Sequence, residues 1–272
     1  MRLVTFSSKA SSAPRIGALI DGDRSVVDIQ AVASRHSGTD EPAFASMIAL
    51  MEAGSAALDA ARLLVEREAA ADGDAVIPAS EVSLLAPVPR PTQMRDFLCF
   101  EKHLRQAREV RYRRLAAETD TPEETFAEYE AAGRMNPAQL WYDQPIYYTC
   151  NPLAVVGTGT DIVWPHFAQK MDYELEFGIF IGNGGADISR ADARDHIFGY
   201  TIFNDISARD TQIKEMEGQL GPGKGKDFDT ANVIGPCIVT TDEIGDPYDL
   251  VMTARVNGEE LSRGNSGEMH HN

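Results

Sequence analysis

Several things the chain lacks narrow its class before any motif is read. Its three cysteines, Cys99, Cys150 and Cys237, are an odd number with no CxxC spacing, which fits a reducing cytoplasm better than an oxidising compartment. No uninterrupted apolar run approaches the roughly 18 residues of a membrane helix. The opening MRLVTFSSKA has no apolar stretch of the kind that marks a signal peptide. Positive charge is scarce. The net charge of −17 argues against nucleic acid or an anionic membrane surface as partner, yet leaves room for a small anionic substrate where lysines and a metal reverse the local field. There is no GxxxxGK[ST] loop, no internal repeat and no low-complexity tract.

What is present is enough apolar material for a substantial core: 272 residues, 43% hydrophobic, as one large domain or two smaller ones. MRLVTF and RIGALIDGDRSVVDI read as a strand and a hairpin turning at Asp21-Gly22-Asp23. Residues 44–70 read as helical with a break near Gly54-Ser55. The proline-rich LLAPVPRPTQ (84–93) marks a domain boundary near residue 90, giving a small domain over 1–90 and a larger one over 91–272. Residues 96–133 are charged and helical in composition. From Leu140 short strands follow: PIYYTC, AVVGTG, DIVWP, the 173–182 run, the strand before Asp205, PCIVTT, and DLVMTARV turning at Asn257-Gly258. The expected fold is α+β and β-rich, with a rolled or barrel-like sheet in the second half.

The chain is organised around residues 171–230. In MDYELEFGIFIG (171–182) the period of two puts Glu174 and Glu176 on one strand face, with Gly178 leaving space beside them. Adjacent like charges repel unless a cation lies between them. About 30 residues on, Asp205 ends another apolar strand. Three hard oxygen ligands suit Mg²⁺, Mn²⁺ or Ca²⁺ rather than zinc; the bland alternative is a wet polar face. GKGKDFD (223–229) is either an anion-binding loop or a flexible surface loop. Arg209 and Gln212 are placed to donate to an oxyanion or a carboxylate, and the same segment reads as a helix start with Ser207 as cap and Asp210 three residues on. His103, read alone, is an exposed helix histidine. His270 and His271, being consecutive, read as structural or tail residues.

RDFLCFEKH (95–103), YELEFGIFIG (173–182), FNDISARDTQ (203–212) and LGPGKGKDFDT (220–230), in that order, resemble the fumarylacetoacetate hydrolase family. The resemblance covers about residues 90–272 and implies that family's mixed β-roll catalytic domain behind a smaller N-terminal α+β domain. It implies Asp96, Glu174, Glu176 and Asp205 as metal carboxylates for Mg²⁺, or Mn²⁺ or Ca²⁺. It implies Lys226 and Thr230 in the wall of the site, His103 as the base that activates water, Arg209 and Gln212 as oxyanion and substrate contacts, and Tyr148 as a substrate contact. The activity it implies is metal-dependent C–C hydrolysis of a 1,3-diketo acid such as an acylpyruvate, in a cytoplasmic homodimer of the kind that serves aromatic catabolism. Decarboxylation, tautomerisation or hydration through the same enolate is the alternative, and a non-catalytic binding relative is a third. Two departures stand out. The chain stops at Asn272, in what reads as the middle of a helix and short of the family's usual C-terminal tail. Gln106 occupies the position three residues after His103, where some members carry an acid.

Overall fold

The computed structural model describes residues 1–9 and 11–271. Its N-terminal elements are β1 (Arg2–Ser8), β2 (Ser11–Ile20), β3 (Ser25–Asp28), α1 (Ile29–Ser37), α2 (Met47–Ala71), β4 (Val76–Pro78) and β5 (Val82–Leu84). Then come β6 (Arg95–Phe97), α3 (Glu101–Ala116), α4 (Pro122–Ala131), α5 (Gln139–Asp143) and β7 (Tyr147–Thr149). The remainder holds β8 (Val155–Val156), β9 (Met171–Asp172), β10 (Leu175–Ile181), β11 (Ile197–Asp205), β12 (Ser207–Ala208), α6 (Arg209–Glu217), α7 (Gly223–Lys226), β13 (Asn232–Thr240), β14 (Val251–Val256) and β15 (Glu259–Asn265). The fold is mixed and β-rich around a large, mainly antiparallel sheet. The chain divides into two compact units, Met1–Met94 with Cys150–Gly245 and Arg95–Thr149 with Asp246–Asn272.

The first unit is built on a nine-stranded sheet ordered β10-β11-β13-β1-β2-β3-β4, with β5 on β1 and β8 parallel to β13. The β2–β3 hairpin turns where Asp21, Gly22 and Asp23 all take positive φ, a conformation that Gly and Asp tolerate best. Asp28 ends β3 and caps α1, accepting the Ala31 N–H at 3.0 Å, and Gly38 closes that helix in the left-handed region. Ser46 caps α2, which kinks at Gly54. Helices α1 and α2 cover one sheet face, burying Leu3, Ile16, Val27, Ile29, Leu50, Val65 and Ile238. Each such side chain contributes about 1.5–3 kcal/mol of hydrophobic stabilisation.

In the second unit β6 pairs with β7, setting Asp96 opposite Tyr148, and β14 pairs with β15 across the Asn257-Gly258 turn. Helices α3 and α4 meet through Arg113, stacked 3.9 Å over the Phe126 ring, and through Tyr112 and Tyr129. His270 and His271 pack on the buried Trp141, whose indole N–H donates to Leu98 O.

Three local expectations are corrected. DIVWP is not a strand. Val163 and Trp164 are exposed there, and the Val163 N–H is taken by Thr230 Oγ1 at 2.9 Å rather than by a sheet neighbour. The strand read from 171 to 182 is interrupted at Tyr173 and Glu174, because β9 pairs with β12 while β10 pairs with β11. No α-helix forms near the C-terminal end of the described residues; Ser266–Glu268 is a single 3₁₀ turn, and Asn272 itself lies outside them.

Candidate active site

The first unit brings Glu174, Glu176 and Asp205 together at one end of the β10–β11 pair. One carboxylate oxygen of each lies within 4.8 Å of the others. Register explains the convergence. Leu175 pairs with Asn204 and Glu176 with Phe203, so the two carboxylates beside Leu175 reach the end of β11 where Asp205 sits. Gly178 does not leave open space, as its position on the carboxylate face first suggests. A Cβ there would meet Thr201 Cγ2 at 2.7 Å, so the glycine lets β11 approach closely.

Lys226 lies among these acids, 2% exposed. Its ammonium is 2.7 Å from Asp205 Oδ2 and 2.9 Å from Glu174 Oε2. Asp205 is fully buried, and its ionised form needs the counter-charge that Lys226 supplies. Arg209 donates through Nη1 to Glu174 and to Gln212 Oε1, the latter at 3.1 Å. Burial pushes the Glu174 carboxyl up, but Lys226 and Arg209 outweigh it and hold the pKa down at about 2. Burial disfavours the charged Lys226, and Asp205 and Glu174 reverse this and raise its pKa, keeping it an ammonium.

The loop carrying Lys226 is tied on three sides. Glu215 accepts the Lys224 and Gly225 N–H groups at 2.8 Å each. Asp227 accepts the Asn151 N–H at 2.8 Å. A Cβ on Gly225 would meet the Gln212 backbone at 2.7 Å, so only glycine allows α6 and α7 to pack this closely. The loop is therefore fixed, not a flexible surface tract. Neither Glu215 nor Asn151 is marked by a sequence motif; a carboxylate eight residues before a Gly-Lys loop has no recognisable pattern. Ser207 does not cap α6: its hydroxyl donates to Asp205 O at 3.1 Å, and Ala208 occupies the cap position. Asp210 instead accepts the Gln169 N–H.

Thr230 sits at a φ of 72° beyond the loop, and its hydroxyl oxygen accepts the Val163 N–H. The remaining expected residues belong to the second unit. Asp96 and Tyr148 are half-buried cross-strand neighbours, and His103 lies exposed on α3. On that helix Glu101 is engaged by Arg105 and by the Tyr142 hydroxyl, and Glu109 by Arg113.

The donor set of the first unit fits a hard divalent cation. Octahedral bonds of about 2.0–2.1 Å put ligand oxygens about 3–4 Å apart, and the three carboxylates offer oxygens all within 4.8 Å of one another. The Lys226 ammonium already shows that a cation is favourable between Glu174 and Asp205.

A family model described as fumarylacetoacetate (FAA) hydrolase C-terminal matches residues 94–272. The chain belongs to the fumarylacetoacetate hydrolase family. Among family relatives, a mitochondrial oxaloacetate tautomerase of Xenopus laevis is 30% identical over 269 residues, covering 99% of this chain and 71% of the relative. The oxaloacetate tautomerase YisK of Bacillus subtilis is 35% identical over 192 residues, 70% of this chain and 54% of the relative. A maleylpyruvate hydrolase from Sphingobium sp. SYK-6, solved with manganese(II) and pyruvate, superposes with a TM-score of 0.65 at 23% identity, covering 99% of this chain and 78% of that one. At that identity the likeness concerns the fold.

Proposed function

We propose that this chain is a divalent-metal-dependent enzyme that interconverts the enol and keto forms of a small 2-oxo dicarboxylic acid of the oxaloacetate type. The carrying observation is the cluster of Glu174, Glu176 and Asp205 with a buried ammonium and a guanidinium beside it, in a chain whose relatives over nearly its whole length are named oxaloacetate tautomerases. Glu174, Glu176 and Asp205, with Asp96 as the fourth carboxylate of the family resemblance, would hold Mg²⁺ or Mn²⁺, or Ca²⁺, which supplies Lewis acidity toward a 2-oxo acid. Lys226, kept protonated by its two acids, donates a hydrogen bond to the oxygen that gains charge as the enolate forms. Arg209 and Gln212 receive the substrate carboxylate. His103 carries the proton to and from the carbon next to the carbonyl, and Tyr148 and Thr230 contact the substrate.

C–C hydrolysis of an acylpyruvate is the second reading, favoured by His103 seven residues after Asp96. It ranks second because the acids nearest His103 on α3 are committed to Arg105 and Arg113, and Gln106 replaces the acid of the short dyad.

The deciding experiment follows the enol absorbance of oxaloacetate and of a small acylpyruvate, with Mg²⁺ and with a chelator, and identifies the products. Metal-dependent loss of enol with carbon skeleton intact supports tautomerisation. Release of pyruvate and a carboxylic acid replaces it with hydrolysis. No metal-dependent change in either substrate refutes both.

A homodimer in the cytoplasm completes the proposal. The exposed outer side of β10 and β11 carries Ile179, Ile181 and Ile202, an apolar edge that a second copy would cover; a monomeric mass by light scattering would refute the dimer. No helix among the described residues is long and apolar enough to cross a membrane.

A further inference from the structure

The guanidinium of Arg209 is divided among three acceptors. Nη1 serves Glu174 and Gln212, and Nε donates to Asp172 Oδ2 at 2.9 Å. The proposed function gives roles to Glu174, Arg209 and Gln212 but none to Asp172.

Asp172 is nevertheless held in place. Residues 169–172 are zipped to 207–210: Ser207 pairs with Asp172 and Ala208 with Met171. The Arg209 N–H donates to Lys170 O at 2.8 Å, and the Gln169 N–H to Asp210 Oδ2 at 2.9 Å. Asp172 Oδ1 accepts the Tyr173 N–H at 3.0 Å, which fixes the carboxylate rotamer with Oδ2 toward Arg209. Exposed ion pairs usually contribute little because two mobile side chains must be ordered. Here one partner is short, its backbone is paired and its other oxygen is already bound.

A guanidinium prefers to close both prongs of its fork on a single carboxylate. Glu174 already accepts Lys226 on Oε2. A full fork on the same carboxylate would crowd its remaining lone pairs and set a second cation against a divalent ion. With Nε on Asp172, the fork is split between two carboxylates and only Nη1 reaches Glu174. The same Nη1 holds Gln212 by its carbonyl oxygen, which turns the Gln212 amide N–H groups away from Arg209.

We infer that Asp172 is a positioning residue for the metal site: by holding Nε of Arg209 it keeps the guanidinium from settling wholly on Glu174, and so keeps Glu174 available to a divalent cation. This rests on the proposed metal role of Glu174.

The test is calorimetric titration of Mn²⁺ into the full chain for wild type, Asp172→Asn, Arg209→Gln and the double variant. Asp172 is half-exposed and asparagine is isosteric, so folding is retained; circular dichroism checks this. Asp172→Asn is expected to weaken Mn²⁺ binding about tenfold, the scale of outer partners of metal ligands. The double variant is expected to bind within about twofold of Arg209→Gln, because without a guanidinium Asp172 has nothing to hold. Wild-type affinity in Asp172→Asn would overturn the inference. So would an equal loss in the Arg209→Gln background, which would make Asp172 only a distant charge. A wild type that takes up no Mn²⁺ would overturn the metal site itself, and this inference with it.

Discussion

The first unit buries acids in two places, and their surroundings differ. Under the helical layer, Asp28 is 5% exposed and pairs with Arg15 while capping α1. Glu68 is likewise 5% exposed; it accepts the Ala75 N–H at 2.9 Å and is gripped by Arg35 Nη1 at 3.1 Å. Each acid there meets one arginine and one backbone donor that would otherwise be orphaned. At the end of β10 and β11, Glu174 and Asp205 share Lys226, Glu174 also meets Arg209, Glu176 lies beside them, and Arg209 is also claimed by Asp172. Acids matched one to one with a cation and a backbone group belong to the architecture. Acids that outnumber the cations beside them, gathered within 4.8 Å of one another, are what the proposed metal role would require.

The sharpest way to break this contrast is Lys226→Met. It leaves Asp205 buried without its counter-ion and is expected to cost about 3–5 kcal/mol in chelator. Mg²⁺ should restore much of that, and kcat should fall on the order of 10²-fold or more even with Mg²⁺. Melting in chelator and in Mg²⁺, alongside an enol assay, measures both; a loss that Mg²⁺ does not relieve would mean that Lys226 is purely structural. Next in size, saturating Mg²⁺ at about 100 Kd should stabilise wild type by about 2.7 kcal/mol and Glu176→Gln not at all, as read by thermal shift. Equal stabilisation of the two would remove Glu176 from the ligand set. Third, Glu68→Gln should cost about 1–3 kcal/mol in denaturant unfolding without changing Mn²⁺ affinity; a changed affinity would mean that the two groups of buried acids are not independent.

The smallest effect is in pH. The Ala75 N–H lowers the Glu68 pKa; burial opposes this, and Arg35 reinforces the lowering. A depressed folded-state pKa means stability that is fully present above the unfolded value of about 4.3 and is lost as pH falls through the folded value. The stability gap between wild type and Glu68→Gln should therefore be flat above about pH 4.5 and shrink below it. A gap that widened on acidification would reverse the assignment.

Much of the local structure was readable along the chain. The 21–23 turn, the kink at Gly54, the alternation of 175–181 and the strand ending at Asp205 depend on propensities and spacings within a few residues. DIVWP was misread because its alternation and β-branched residues satisfy a strand pattern with no neighbour to pair with. Ser207 was misread because a serine before a helix caps only if its hydroxyl finds the helix N–H groups, and here Asp205 O takes it.

By itself, the sequence determined the family, the strand-borne carboxylates and the glycine-bounded lysine, because each lies in a contiguous run whose chemistry is local. Only the tertiary structure decided that β1 joins β13 across more than two hundred residues, that Lys226 lies between Glu174 and Asp205, and that Glu215, Asn151 and Asp172 support that arrangement. Those facts follow from strand register and loop closure. Both are set by long-range pairing and burial, which no window of neighbouring residues contains.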